Sequence, residues 1–433
     1  MNTTKNELTS RRDFLKTSAV IGGALAAPAI LPGRLWAADN SETLRVGLIG
    51  CGGRGTGAAG QALSADKNVS LVAMGDAFED RLQGSLKTLK ADPSFGDKVK
   101  VTPEKCFVGL DAYQKVIGSG VDVVLLTTPP GFRPIHLKAA VEAGKHVFCE
   151  KPVAVDAPGV RSVLASAEEA RKKKLALLSG FCWRYADGER EGYKRVHDGQ
   201  IGDITALYSN YHTGTIWCHP RQKDWTDMEY QLRNWYYFTW LSGDHIVEQA
   251  VHSINKISWA MKDAPPVQAV GLGGRQVRTG EDFGHIYDHF TVIYEFADGV
   301  KGFHSSRQME KCSSEVTDHV MGTKGRLDIL TFTSQEIKGE HPWRHGVNKR
   351  LMYQTEHDEF FASIRSGQPL NDGLMMANTT LLAILGRMAA YTGQTITWEQ
   401  AMNSEESLMP PNVSWDAALA VPPVAMPGMT KFV

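Results

Sequence analysis

The stretch TLRVGLIGCGGRGTGAAGQALSA (43–65) constrains the fold more than any other. A short apolar run ends in glycine and passes directly into helical composition, so a strand turns into a helix there. Gly50, Gly52 and Gly55 stand in a G-x-G-x-x-G pattern, with Gly53 and Arg54 between the last two. The first glycine permits the tight turn, the second lets backbone approach a pyrophosphate, and the third allows close helix packing. The helix N-terminus adds N–H donors and partial positive charge. Asp76 ends the next apolar run, VSLVAMGD, 21 residues after Gly55. An acid in that place accepts hydrogen bonds from the adenosine ribose hydroxyls, which reads as a dinucleotide site. The other reading is a glycine turn and a surface aspartate with no ligand. A carboxylate repels a 2′-phosphate, so NAD is preferred over NADP, and neighbouring Arg81 keeps NADP open.

The alternation continues through EDRLQGSLKTLKA, DAYQKVIG, VDVVLLTT, RPIHLKAAVEAG and KHVFCEKP. Strands alternating with helices mean βαβ units and a parallel sheet. From about Ile201 the period becomes two: in HFTVIYEF (289–296), Phe290, Val292, Tyr294 and Phe296 share one face, and Asp298-Gly299 turns the chain into VKGFHSS. The fold class is therefore α/β: an N-terminal Rossmann parallel sheet over 43–160 and an α+β domain over 161–410 with an open, mostly antiparallel sheet. Residues 411–433 read as an extended tail.

A chain of 433 residues suits two or three domains of roughly 150 residues. A net charge of -1 lacks the basic field that a nucleic-acid partner would need. SRRDFLK (10–16), the apolar run behind it and the small residues near Ala37 form a twin-arginine export signal over 1–37, which predicts a periplasmic or otherwise exported protein. Gly22, Gly23, Pro28 and Pro32 interrupt the run, so no membrane anchor is expected after signal removal. Six scattered cysteines lack metal or disulfide spacing, and HDEFF near His357 lacks the H-E-x-x-H spacing, so no metal site is expected.

FCEKP (148–152) is the odd ending of a buried strand. Lys151 precedes proline, which holds the strand end extended. At a carboxyl end of a parallel sheet it projects toward the ligand crevice, as do Thr128 and Pro129 of TTPP (127–130). Lys151 either assists proton transfer at a substrate hydroxyl or pairs with Glu150 as a surface salt bridge. In GDHIVEQAVHSINKISWA (243–260), helical spacing puts His245, Glu248, His252 and Asn255 on one stripe. A carboxylate beside an imidazole orients it and raises its pKa; the alternative is a solvated polar face. An aromatic run from Trp217 to Trp240, including Trp235 and Tyr236, suits the C–H faces of a sugar, or else a core cluster or subunit interface.

The segments RVGLIGCGGRG, VDVVLLTTPPGFRPIHLKAAVEAGKHVFCEKP, SGFCWRY, GQIGDI, MGTKGRLDI and LLAILGRMAAYTG resemble the Gfo/Idh/MocA family (glucose-fructose oxidoreductase, inositol dehydrogenase, rhizopine catabolism) from about Leu44 to Pro410. The resemblance implies NAD as cofactor, a carbohydrate substrate and a homo-oligomer, dimer or tetramer. It implies that Lys151 positions the hydroxyl being oxidised and that His252 is the acid/base. Glu248 stands at the family's aspartate position and Ala250 where glycine is common, so Glu248 either orients His252 or contacts the sugar. Glu150 joins the cofactor site as support for Lys151. Candidate substrate contacts are Arg184 and Tyr185 of SGFCWRY, Trp235, Tyr236, His245 and His252.

Free NAD is not expected outside the cytoplasm, so export predicts a tightly held cofactor regenerated within the enzyme. Two reactions do this: oxidising one sugar while reducing another, or oxidising and re-reducing the same glycoside around an elimination, as in an NAD-dependent glycosidase, α-N-acetylgalactosaminidase-like. A third class is a catalytically silent binding protein on the same fold.

Overall fold

The computed structural model describes residues 42–330, 334–346 and 348–433. The expected export signal and its cleavage site lie outside the described residues.

Six strands form the first sheet: β1 (Leu44–Ile49), β2 (Val69–Asp76), β3 (Cys106–Val108), β4 (Val123–Leu126), β5 (His146–Cys149) and β6 (Leu177–Ser179). Their order is β3-β2-β1-β4-β5-β6, and every pair is parallel. Helices cover both faces, which is why Val123–Leu126 is buried throughout and apolar at every position. The strand order reverses between β1 and β4, so a crevice opens at their carboxyl ends. The sheet extends past the expected boundary at 160, because Val147, Phe148 and Cys149 pair with Leu177, Leu178 and Ser179.

The second sheet contains β7 (Ile204–Thr213), β8 (Gln268–Gly274), β9 (His289–Glu295), β10 (Lys301–Gln308), β11 (Thr317–Gly322), β12 (Gly325–Leu330), β13 (Ser334–Gly339), β14 (Trp343–Arg344) and β15 (Ile396–Thr397). It is antiparallel except where β10 runs beside β7. Phe290, Val292 and Tyr294 face the core, as their period of two requires. Helices cover that face. The other is open and carries Tyr208, Phe303, Met321, Val270 and Leu272 as exposed side chains.

The helix Gly373–Thr392 is long and apolar enough to cross a membrane by composition, but most of its apolar window is buried inside the protein. It packs on β8 and on the helix Ala157–Lys172 and is thus a core element. From Ser404 onward the chain has no helix or strand, and it is tied down by hydrogen bonds such as Tyr287 Oη to the Ala425 carbonyl (2.8 Å).

Candidate active site

A cavity of about 800 Å³ runs from the glycine loop, past the carboxyl ends of β1, β4 and β5, to the helices of the second domain. Gly50, Gly52, Gly53, Arg54, Gly55, Asp76, Thr128, Pro129, Glu150 and Lys151 all line it.

The glycine loop fits a dinucleotide. Gly50 has φ +96°, and a Cβ there would lie 2.7 Å from the Thr127 carbonyl carbon. A Cβ on Gly55 would collide with the Gly50 carbonyl oxygen, so only glycine lets the helix start against the strand. Gly52 and Gly53 face open space. No side chain caps the helix Gly53–Ala65, which leaves its first N–H groups for an anion. Asp76 accepts the N–H of Cys51 (2.6 Å) and of Phe78 (2.9 Å). Burial raises its pKa and these N–H bonds oppose the rise, so the loop and the acid are built as one unit.

Glu150 and Lys151 do not pair as a surface salt bridge. The Glu150 carboxylate is buried and forms an ion pair with the Arg54 guanidinium, Oε1 lying 2.7 Å from Nε. A side chain at position 180 would lie 2.6 Å from Glu150 Oε2, so Gly180 makes room for the carboxylate. Lys151 turns the other way. Its Nζ donates to the Glu248 carbonyl at 2.6 Å and to Glu248 Oε1 at 3.1 Å. Glu248 therefore holds the lysine, and the expected carboxylate–imidazole pairing with His252 is absent.

His252 lines the cavity beside Glu248 and Gln249 and packs its ring near Phe181 and Trp183. Its pKa is held well below the ordinary imidazole range, first by burial and then by the cations Lys151 and Lys256, the reverse of the expected rise. Lys256 is one turn further along the same helix. It is fully buried, with Nζ 2.6 Å from Asp318 Oδ2, 3.5 Å from Glu189 Oε1 and 3.7 Å from the centre of the Trp183 ring. Glu189, crowded by burial and by Asp318, has its pKa pushed up to about 8.

The expected single polar stripe is broken. The helix His245–Glu248 stops, and a second begins at Val251. Between them the Ala250 N–H reaches back five residues to the His245 carbonyl (3.0 Å), which shifts the register. His245 consequently points into the second sheet, where its ring meets the Tyr287 carbonyl and Ser306 Oγ, and it is fully buried away from the cavity. Three further candidate substrate contacts lie outside the cavity lining. Arg184 is engaged by Asp263 and Asn255. Tyr185 is buried and donates to Asp372. Tyr236 is buried against Gln308 and backs Trp217 and Trp235.

Trp235 does line the cavity, together with Trp217, Tyr211 and Gln249. Tyr211 was readable from alternation, since Leu207 and Ser209 before it face inward. Among the described residues no His, Cys, Asp or Glu group is arranged to hold a metal ion, and all six cysteines are free.

The family model described as oxidoreductase family, NAD-binding Rossmann fold, matches residues 44–178, and the GFO/IDH/MocA C-terminal domain matches residues 190–328. Inositol 2-dehydrogenase 3 of Saccharopolyspora erythraea is 30% identical over 260 residues, covering 60% of this chain and 65% of that protein, just under two thirds of its length. The 2,7-anhydro-N-acetylneuraminate hydratase of Escherichia coli is 23% identical over 209 residues, 48% of this chain and 51% of that protein. The aldose-aldose oxidoreductase of Caulobacter crescentus shares the fold with a TM-score of 0.65 at 18% identity, over 82% of this chain and 100% of that one. With both domain models matched in sequence and both sheets in place, the chain belongs to the Gfo/Idh/MocA oxidoreductase family, and its first domain is an NAD-binding Rossmann domain.

Proposed function

We propose that this is an exported NAD-dependent oxidoreductase acting on a hydroxyl of a sugar or glycoside, with a tightly held cofactor. The observation that carries the reading is the place of Lys151: its side chain lines the same cavity as the glycine loop, Trp217 and Trp235, and its ammonium is held by Glu248 of the second domain. Bound NAD supplies the hydride acceptor. Lys151 Nζ donates to the substrate oxygen and fixes the carbon beneath it. As hydride leaves that carbon, the hydroxyl proton passes to His252, a neutral imidazole whose basicity burial and the cations Lys151 and Lys256 keep low. The tryptophan faces pack on C–H surfaces of the sugar.

A second reading has support in the similarity to the anhydro-neuraminate hydratase. Oxidation at a ring carbon, most simply C3, makes a ketone that acidifies the C2 proton. Loss of that proton expels the C1 substituent, water adds to the resulting alkene, and the returning hydride restores the hydroxyl, so glycoside hydrolysis occurs without net redox.

Purified protein challenged with free sugars and aryl glycosides separates the two. Stoichiometric NADH or a keto-sugar supports the dehydrogenase; cleavage without net NADH supports the hydrolase; an inert protein that holds no NAD overturns both. The open face bearing Tyr208, Phe303 and Leu272 suits a homo-oligomer, which light scattering tests.

A further inference from the structure

The segment between β7 and the helix His245–Glu248 was readable as a sugar cage, yet part of it lies at the other end of the cavity. Leu232, Arg233 and His219 share the lining with Asp76, Phe78 and Arg81, the adenosine side of the nucleotide site. The Arg233 guanidinium sits 3.9 Å from the centre of the Phe78 ring and 5.3 Å from that of Trp225, a cation between two aromatic rings. Its Nη1 and Nη2 each lie 3.3 Å from Asp80, and its Nε is 2.9 Å from Glu229. A helix of the second domain thus grips the loop that directly follows Asp76.

The C-terminal segment grips the same ring. Trp415 packs on Phe78 with centroids 5.6 Å apart. Further along, the Leu419 N–H bonds Asp227 (3.2 Å) and the Leu419 carbonyl accepts Gln231 Nε2 (3.0 Å), which ties this segment to the helix that carries Arg233. Phe78, Leu110 and Phe132 of the nucleotide domain join one apolar cluster with Tyr237, Ala417 and Leu419. Two stretches distant in sequence therefore converge on one residue of the nucleotide domain.

We propose that Phe78, Arg233 and Trp415 form a clasp over the adenosine end of the cleft, so that NAD leaves only when the helix Asp227–Arg233 and the C-terminal segment unpack from Phe78. The proposal rests on the NAD-binding reading and adds to it where retention is built. The Asp80 contact is exposed and screened by salt, whereas the stacked guanidinium is shielded by its rings. Most of the hold therefore survives high ionic strength.

The test is release of bound NAD, timed by displacement with excess etheno-NAD and checked by nucleotide content after desalting. Wild type retains NAD; Arg233→Ala and Trp415→Ala release it at least roughly tenfold faster, since affinity changes of this kind fall on dissociation. Asp80→Ala, at a side chain 61% exposed, leaves the fold intact and gives a smaller acceleration that high salt reproduces in wild type. If the alanine variants at 233 and 415 lose their circular dichroism, Arg233→Lys, which keeps the charge and loses the planar stack, takes their place. Wild-type protein that binds NAD but releases it at the rate of the variants overturns the clasp alone. Wild-type protein that binds no NAD overturns the nucleotide reading and the clasp with it.

Discussion

Lys151 Nζ is bonded to Glu248 twice, to the carbonyl at 2.6 Å and to Oε1 at 3.1 Å, with side chains only 12% and 11% exposed. The lysine lies two residues past the end of β5 in the nucleotide domain, and the glutamate ends a helix of the second, so the ammonium is aimed by both domains.

Lys151→Ala is expected to lower turnover by roughly 10²–10⁴, the range of one proton-transferring group, while NAD content stays at the wild-type level. Glu248→Gln is expected to lose less, about tenfold, because the carbonyl bond remains and an amide oxygen still accepts from Nζ. Steady-state kinetics with bound nucleotide measured in parallel checks both.

The acid limb of the pH–rate profile should lie below the ordinary imidazole pKa of about 6.5, because His252 stays neutral until well under it. Lys256→Gln removes one of the cations that depress His252 and should move that limb upward, leaving a profile of changed position and not merely reduced height. A structural role alone for Lys256 would lower the rate without moving the limb.

Glu189 gives a stability signature. Its folded pKa of about 8 exceeds the unfolded value of 4.5, so the folded state binds the extra proton between them. Stability from this group is therefore full below about 4.5 and is lost as pH rises toward about 8. Glu189→Gln keeps the protonated shape, and thermal melts should show the gap between variant and wild type widening in favour of the variant across that window.

Gly180→Ala puts a methyl group within 2.6–2.9 Å of the Glu150 carboxylate, which must then leave Arg54. The expected cost is about 1–3 kcal/mol by urea unfolding, with weaker NAD binding, since Arg54 lies in the first turn of the glycine-loop helix. Gly55→Ala should abolish NAD binding outright.

The nucleotide half of the site was legible because its requirements are local. A glycine turn, an acid at the next strand end and a lysine before proline each act through backbone geometry within a few residues. The second half depends on packing. One extra residue at Ala250 turns His245 into the sheet and breaks a stripe that ideal helical spacing would have kept whole. Glu189, Lys256 and Asp318 come from two helices and a strand far apart in sequence, and only a lysine inside an apolar helix face hinted at them. The aromatic run could be sugar cage or core; the structure divides it, with Trp217 and Trp235 at the cavity and Tyr236, Tyr237 and Phe238 buried behind.

The central claim, that Lys151 holds the carbohydrate hydroxyl whose proton passes to His252 as bound NAD oxidises it, is tested most directly by single-turnover NADH absorbance at matched NAD occupancy. With an active sugar or glycoside, wild type should show a rise in reduced cofactor, transient if hydride returns, and Lys151→Ala should show none. An equal rise at an equal rate in both proteins would contradict the account.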